Sequence, residues 1–188
     1  MRWVRQFWGM KSFVLSLCLA ATPLSAMACP PAPDHRLKTA EIIAALQKSS
    51  PQEAPAYSSA LWLLWRDAPD AKAQAMLDLG IGFIGRQDFE QAKFVLTELV
   101  DYCPEYAEGY NQRAFAAFLA RDFEAALVDL DRAIALNPVH IAAISGKGLT
   151  LLGLGRNEEA YQTIRDALQL NPWLSERRFL PKDDGTDI

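Results

Sequence analysis

The sequence predicts an all-α protein, a solenoid of antiparallel helical hairpins, on three observations. The chain repeats at an offset of 34 residues, each repeat carries two stretches of helical apolar periodicity, and a proline closes each repeat. Four registers agree on the offset: Ala92, Ala126 and Ala160; Pro104, Pro138 and Pro172; the small residues Gly80, Ala114 and Gly148; and the apolar Leu99, Ala133 and Ala167. Within the first clear unit the periodic stretches are Met76, Leu79, Gly80 and Phe83, then Phe89, Ala92, Leu96 and Leu99, with a short polar break between them. The small residues fall where two helices must approach closely, because a bulky side chain there would hold the axes apart. The proline ends the second helix by removing a backbone donor and forcing its predecessor into extended geometry.

Taken in chain order, residues 1–28 read as a signal peptide. A basic start (Arg2, Arg5, Lys11) leads into an apolar stretch from Phe13 to Ala21 and a small-residue exit, Ala26-Met27-Ala28. That stretch is shorter than the roughly 20 residues a membrane-spanning helix needs. Arg2 and Arg5 are not adjacent, so export in the unfolded state is expected, to the periplasm or the exterior. Residues 29–36 are expected to be disordered, and residues 37–72 to form a degenerate N-terminal hairpin. In that hairpin Ile42, Ile43, Ala45 and Leu46 lie on one helix and Tyr57, Leu61, Leu64 and Trp65 on the next, broken at Ser49-Ser50-Pro51. Terminal units of a solenoid cover an open end of its core, and Trp62 and Trp65 offer apolar area for such a lid; an aromatic binding site is the alternative. The clear units are 73–106, 107–140 and 141–174, followed by a tail at 175–188. Trp173, Leu174, Phe179 and Leu180 either fold back over the last hairpin or form an exposed apolar patch.

Removing three basic and no acidic residues with the signal moves the formal net charge from −4 to −7. So acidic a chain lacks the basic face that a nucleic-acid partner or an anionic membrane surface requires. Cys29 and Cys103 are the thiols that remain. An oxidising compartment allows them to pair, whereas Cys103 alone reads as a small buried residue at a helix end. Cys29 also follows the cleavage site and so stands where a lipid anchor attaches, although the leucine usual three residues earlier is missing. Disulfide, lipid and free thiol remain open at this stage.

The units resemble tetratricopeptide repeats. The pattern of that family is a large residue, Leu, Gly/Ala, Tyr/Phe, Ala, a large apolar residue, Ala and Pro. It is met by Met76, Leu79, Gly80, Phe83, Ala92, Leu96, Leu99 and Pro104; by Tyr110, Ala114, Ala126, Leu130, Ala133 and Pro138; and by Ile144, Gly148, Leu151, Gly155, Ala160, Ile164, Ala167 and Pro172. Arg113 and Lys147 depart from it at the leucine position and Ala117 at the Tyr/Phe position. The resemblance implies a right-handed solenoid with a concave groove lined by the first helix of each unit. The groove positions here include Leu77 and Ile81, Asn111, Phe115 and Phe118, and Ser145 and Leu149. Whether the aromatic ones face the groove or pack between helices depends on helix rotation. Members that clamp a C-terminal carboxylate use Lys, Asn and Arg at set groove positions, which here carry Leu77, Ile81, Gln112, Ala142 and Gly146, so that clamp is not expected.

No metal site, cofactor motif or catalytic set stands out. His35 and His140 lack metal-like company, and the Gly80-Ile81-Gly82 and Gly153-Leu154-Gly155 pairs belong to helices and not to a phosphate loop. Asp122, Glu124, Asp129 and Asp131 read as a solvated helix face. His140 reads as a turn residue beside Pro138. The expected function is non-enzymatic: an exported adaptor or scaffold that holds a segment of a protein partner in its groove, with no cofactor. The alternative is a self-associating assembly subunit, and a thiol enzyme using Cys103 with His140 is a remote third.

Overall fold

The computed structural model describes residues 28–181, an all-helical array. Its helices are α1 (Arg36–Leu46), α2 (Ala54–Trp65), α3 (Ala71–Gly85), α4 (Phe89–Tyr102), α5 (Ala107–Leu119), α6 (Phe123–Leu136), α7 (Ile141–Gly153) and α8 (Asn157–Leu170), followed by a short 3-10 turn at Ser175–Phe179. No helix among the described residues is long and apolar enough to cross a membrane. The signal expected at 1–28 lies, apart from Ala28, outside the described residues.

Local chemistry sets the helix boundaries. Asp70, Asp88 and Asp122 cap α3, α4 and α6, each carboxylate accepting the backbone N–H three residues on, at 2.8, 3.3 and 3.3 Å. Inside each repeat the first helix ends with a residue at positive φ, namely Gln87 (62°), Arg121 (65°) and Gly155 (73°). These are also 34 residues apart. At each, the next residue's N–H reaches back five residues, as Asp88 does to the Phe83 carbonyl at 3.0 Å. The same left-handed closure therefore joins the two helices of each of the three repeats.

Packing follows the small residues. A Cβ added at Gly80 would stand 2.6 Å from Leu96 Cγ, and one at Gly148 2.6 Å from Ile164 Cγ1. Ala92, Ala126 and Ala160 are fully buried opposite them. Second helices then stack on the first helix of the next unit, α4 on α5 and α6 on α7, while α3, α5 and α7 also touch along the inner wall of the curve. The two departures at the leucine position of the repeat pattern become cross-links. Arg113 on α5 donates to both carboxylate oxygens of Asp129 on α6 at 2.7 Å and reaches Thr97 on α4 at 3.2 Å. Lys147 on α7 pairs with Asp131 on α6 at 2.6 Å. Asp129 is therefore buried and paired, not solvated, because Arg113 supplies the countercharge that burial requires.

The N-terminal part departs from expectation in two ways. Residues 29–36 are not loose: Cys29 forms a disulfide with Cys103, their Cα atoms 5.1 Å apart, and His35 meets Asp67 at 2.8 Å. The α1–α2 hairpin is present but does not continue the stack, and among the described residues α2 forms no face-to-face interface with α3 like that between α4 and α5. Instead Ile42, Ile43, Leu46, Leu61 and Trp65 bury themselves with Ile141 and Ala142 of α7, Leu170 of α8 and Leu174. The hairpin thus lies over the edge where the repeats turn, at the start of α7 and the end of α8, while Leu79 on the open face of α3 stays 47% exposed.

Candidate partner-binding groove

The inner wall presents the N-terminal turns of α5 and α7. Five of the seven groove residues expected from the repeat pattern, Asn111, Phe115, Phe118, Ser145 and Leu149, line one notch of about 200 Å³. Trp62 of α2 and Glu176 of the tail close its sides. Phe115 is 46% exposed there, and Phe118 rests against Phe123 with ring centroids 5.5 Å apart. Helix rotation therefore turns Phe115 toward the groove and Phe118 partly inward. Leu77 and Ile81 do not join them: Leu77 is fully buried in the core of its own repeat with Leu96, Leu99, Cys103 and Tyr106, and Ile81 packs against that cluster.

Beneath the notch runs a buried polar network that sequence reading missed. Glu108, 1% exposed, accepts from Gln112 Nε2 at 2.6 Å, from Asn111 Nδ2 at 3.1 Å and from His140 Nε2 at 2.8 Å. His140 is no simple turn residue. It is fully buried and caps α7, its Nδ1 accepting the Ala143 N–H at 3.3 Å, which places the ring proton on Nε2, facing Glu108. The imidazole also stacks on Trp65 of α2, with centroids 4.2 Å apart and planes 20° off parallel. Tyr106 donates its hydroxyl to the Trp65 carbonyl at 2.9 Å, and its burial, with Glu108 nearby, pushes the phenol well above the usual tyrosine range. One signal could have revealed the network: Glu108 and His140 are the second and last residues of one repeat unit, and stacking sets those positions side by side.

The Cys103 thiol is consumed in the disulfide and both nitrogens of His140 are engaged, so the two do not form a nucleophile and base. Of the positions at which clamp members carry Lys, Asn or Arg, Gln112 donates to the buried Glu108 carboxylate.

Residues 142–172 match the tetratricopeptide repeat family model. A TPR repeat-containing protein of Rhizobium etli is 22% identical over 126 residues, 67% of this chain and 62% of the relative. Tetratricopeptide repeat protein 36 of Xenopus tropicalis is 30% identical over 115 residues, 58% of this chain and 56% of the relative. The chain thus spans less than two thirds of either relative's length. Among solved structures, the first TPR of Spaghetti (RPAP3) bound to the HSP90 peptide SRMEEVD is 26% identical with a TM-score of 0.56, covering 58% of this chain and 92% of that one. These likenesses support kinship with the tetratricopeptide repeat family, and the architecture is that of a tetratricopeptide-type helical solenoid.

Proposed function

We propose that this protein is an exported adaptor that binds an apolar or amphipathic segment of a partner protein on its inner wall. The observation that carries the reading is the notch formed by Phe115, Phe118, Leu149 and Trp62, an apolar recess with Asn111 and Ser145 at its base. Peptide binding by a structurally similar domain supports it. The peptide of that complex, SRMEEVD, is acidic; here the buried Glu108 and the net charge of −7 left by signal removal disfavour an acidic ligand. The partner segment is therefore neutral or basic. The Cys29–Cys103 disulfide supports an exported location, since such bonds persist in oxidising compartments.

Crosslinking in the native compartment tests the reading, with a photoreactive residue at Phe115 and, as a control, at the exposed Gln162 of α8. A discrete adduct from position 115 alone is expected. Equal adducts from both positions, or none from 115, refute groove binding.

Self-association is a second reading, favoured by Leu79, which is 47% exposed where the later units carry the ion-paired Arg113 and Lys147. A monomeric mass at micromolar concentration removes it.

A further inference from the structure

One end of the inner wall already holds a helix of this chain. Leu61 and Trp65, four residues apart on α2, are buried there against the first turn of α7 and the end of α8, and Trp62 edges the notch. This is the spacing at which an amphipathic helix anchors in a groove. Across its 12 residues, APAYSSALWLLW, α2 carries no charge, which suits a floor whose carboxylate is already satisfied by its own neighbours.

The hairpin's attachment is weaker than the packing within the repeats. A cavity of about 790 Å³ separates α1 from the turns that carry Glu105 and Pro138. Trp65 Nε1 is buried without a hydrogen-bond partner. The base of the hairpin is fixed covalently. Cys29 is bonded to Cys103, and Cys29, Ala68 and Cys103 belong to one apolar cluster. The hairpin is thus a loop closed at one point of the solenoid, by a disulfide on one side and by the chain into α3 on the other.

We infer that the α1–α2 hairpin is the resident occupant of the groove, and that the Cys29–Cys103 disulfide governs whether an uncharged Trp/Leu-bearing helix of a partner can replace it. The partner half of this inference rests on the adaptor reading; the gate does not. Opening needs a dithiol reductant. One of its thiolates attacks Sγ of Cys29, which is the more accessible sulfur because Cys103 is 1% exposed, and Cys103 leaves as a thiolate. The second thiol then resolves the mixed disulfide. The dithiol becomes a disulfide, and Cys29 and Cys103 take up the two protons as free thiols. With the loop cut, α1 and α2 are tethered only through residues 66–70, and the open state gains the freedom that closure denied it.

Hydrogen exchange on the mature chain tests the gate, comparing the oxidised protein, the same protein in dithiothreitol, and Cys29→Ser. Amides of α1 and α2 are expected to exchange at least about tenfold faster in the latter two, while α5 to α8 keep their protection. A labelled synthetic peptide copying residues 53–68 is expected to bind the reduced protein and Cys29→Ser at least about tenfold more tightly than the oxidised protein. Trp65→Ala, with the disulfide intact, is expected to speed hairpin exchange by itself. Unchanged hairpin protection on reduction, equal peptide binding in both states, or loss of protection throughout α3 to α8 each overturns the gate. Crosslinking from Phe115 separates the two ideas. Equal partner capture by oxidised and reduced protein leaves the adaptor standing without the gate, and an opening hairpin with no capture leaves the gate without the adaptor.

Discussion

Replacing His140 with alanine removes three interactions at once, and the loss can be built up from the structure. The Nδ1 cap on the Ala143 N–H, at 3.3 Å, contributes about 1 kcal/mol. The bond from Nε2 to the buried Glu108 carboxylate, at 2.8 Å, contributes about 2 kcal/mol, because its loss leaves a buried acceptor with one donor fewer. The stack on Trp65 at 4.2 Å adds about 1 kcal/mol beyond the area buried. The sum, about 4 kcal/mol, is a large part of the 5 to 15 kcal/mol typical of a domain. With a urea slope of about 2 kcal/mol/M, the midpoint moves down by about 2 M. His140→Asn, which keeps a capping oxygen but neither the stack nor the reach to Glu108, should fall about 1 kcal/mol short of that loss. Urea unfolding followed by circular dichroism measures both variants. A midpoint for His140→Ala within about 0.3 M of the parent refutes the reasoning, since it would mean that the network adds nothing net.

Arg113→Leu restores the residue that the repeat pattern prefers, yet it should destabilise by about 3 kcal/mol by stranding the buried Asp129. Adding Asp129→Leu should bring the double variant back to within about 1 kcal/mol of the parent, and urea midpoints of the four proteins close the cycle. Gly148→Ala should cost about 2 kcal/mol through its 2.6 Å approach to Ile164. Gly155→Ala, with open space around it but φ at 73°, should cost about 1 kcal/mol from the backbone alone; thermal melts that rank the two the other way contradict the packing argument. Hydrogen bonds from the Ala73 N–H and the Tyr102 hydroxyl hold the Asp70 carboxyl below its usual range. Its stabilisation is therefore present above pH about 4 and is lost as pH falls through the lowered folded value. Asp70→Asn should flatten the acid limb of stability below about pH 4, and an unchanged slope speaks against the assignment.

The repeats were legible because every constraint that shapes them recurs at the same offset. Gly80 and Gly148 announce close helix contact, and Leu96 and Ile164 lie where they predict it. The left-handed closure is equally periodic, but only Gly155 displays it. Gln87 and Arg121 adopt the same backbone with side chains that give no hint of it. Groove phasing carried Asn111, Phe115, Phe118, Ser145 and Leu149 into one notch. It failed for Leu77 because the first repeat has no unit stacked before it, and its inner residues close its own core. The hairpin's docking was not legible at all. Ile42, Leu46, Leu61 and Trp65 show an apolar stripe, but periodicity does not say which distant surface such a stripe meets. That was decided by Ile141 and Leu170, more than 75 residues further along the chain.

Which interactions belong to the solenoid and which to the hairpin bears directly on what the groove recognises. All three donors to Glu108 come from the repeats themselves, none from α2. The network therefore stays satisfied whichever helix lies over it, and removing the occupant exposes polar groups that are already paired. The hairpin's side of the contact is correspondingly poor in hydrogen bonds: the Trp65 carbonyl accepts from Tyr106, and Gln47 donates to the Gln169 carbonyl at 2.8 Å. The rest is apolar contact and one aromatic stack. An occupant held in this way is selected by shape and by the placement of large side chains, not by hydrogen-bond pattern. On the proposal that a partner helix replaces the hairpin, the feature to be matched is a Trp-sized residue one helical turn from a Leu-sized one, the arrangement that Leu61 and Trp65 provide.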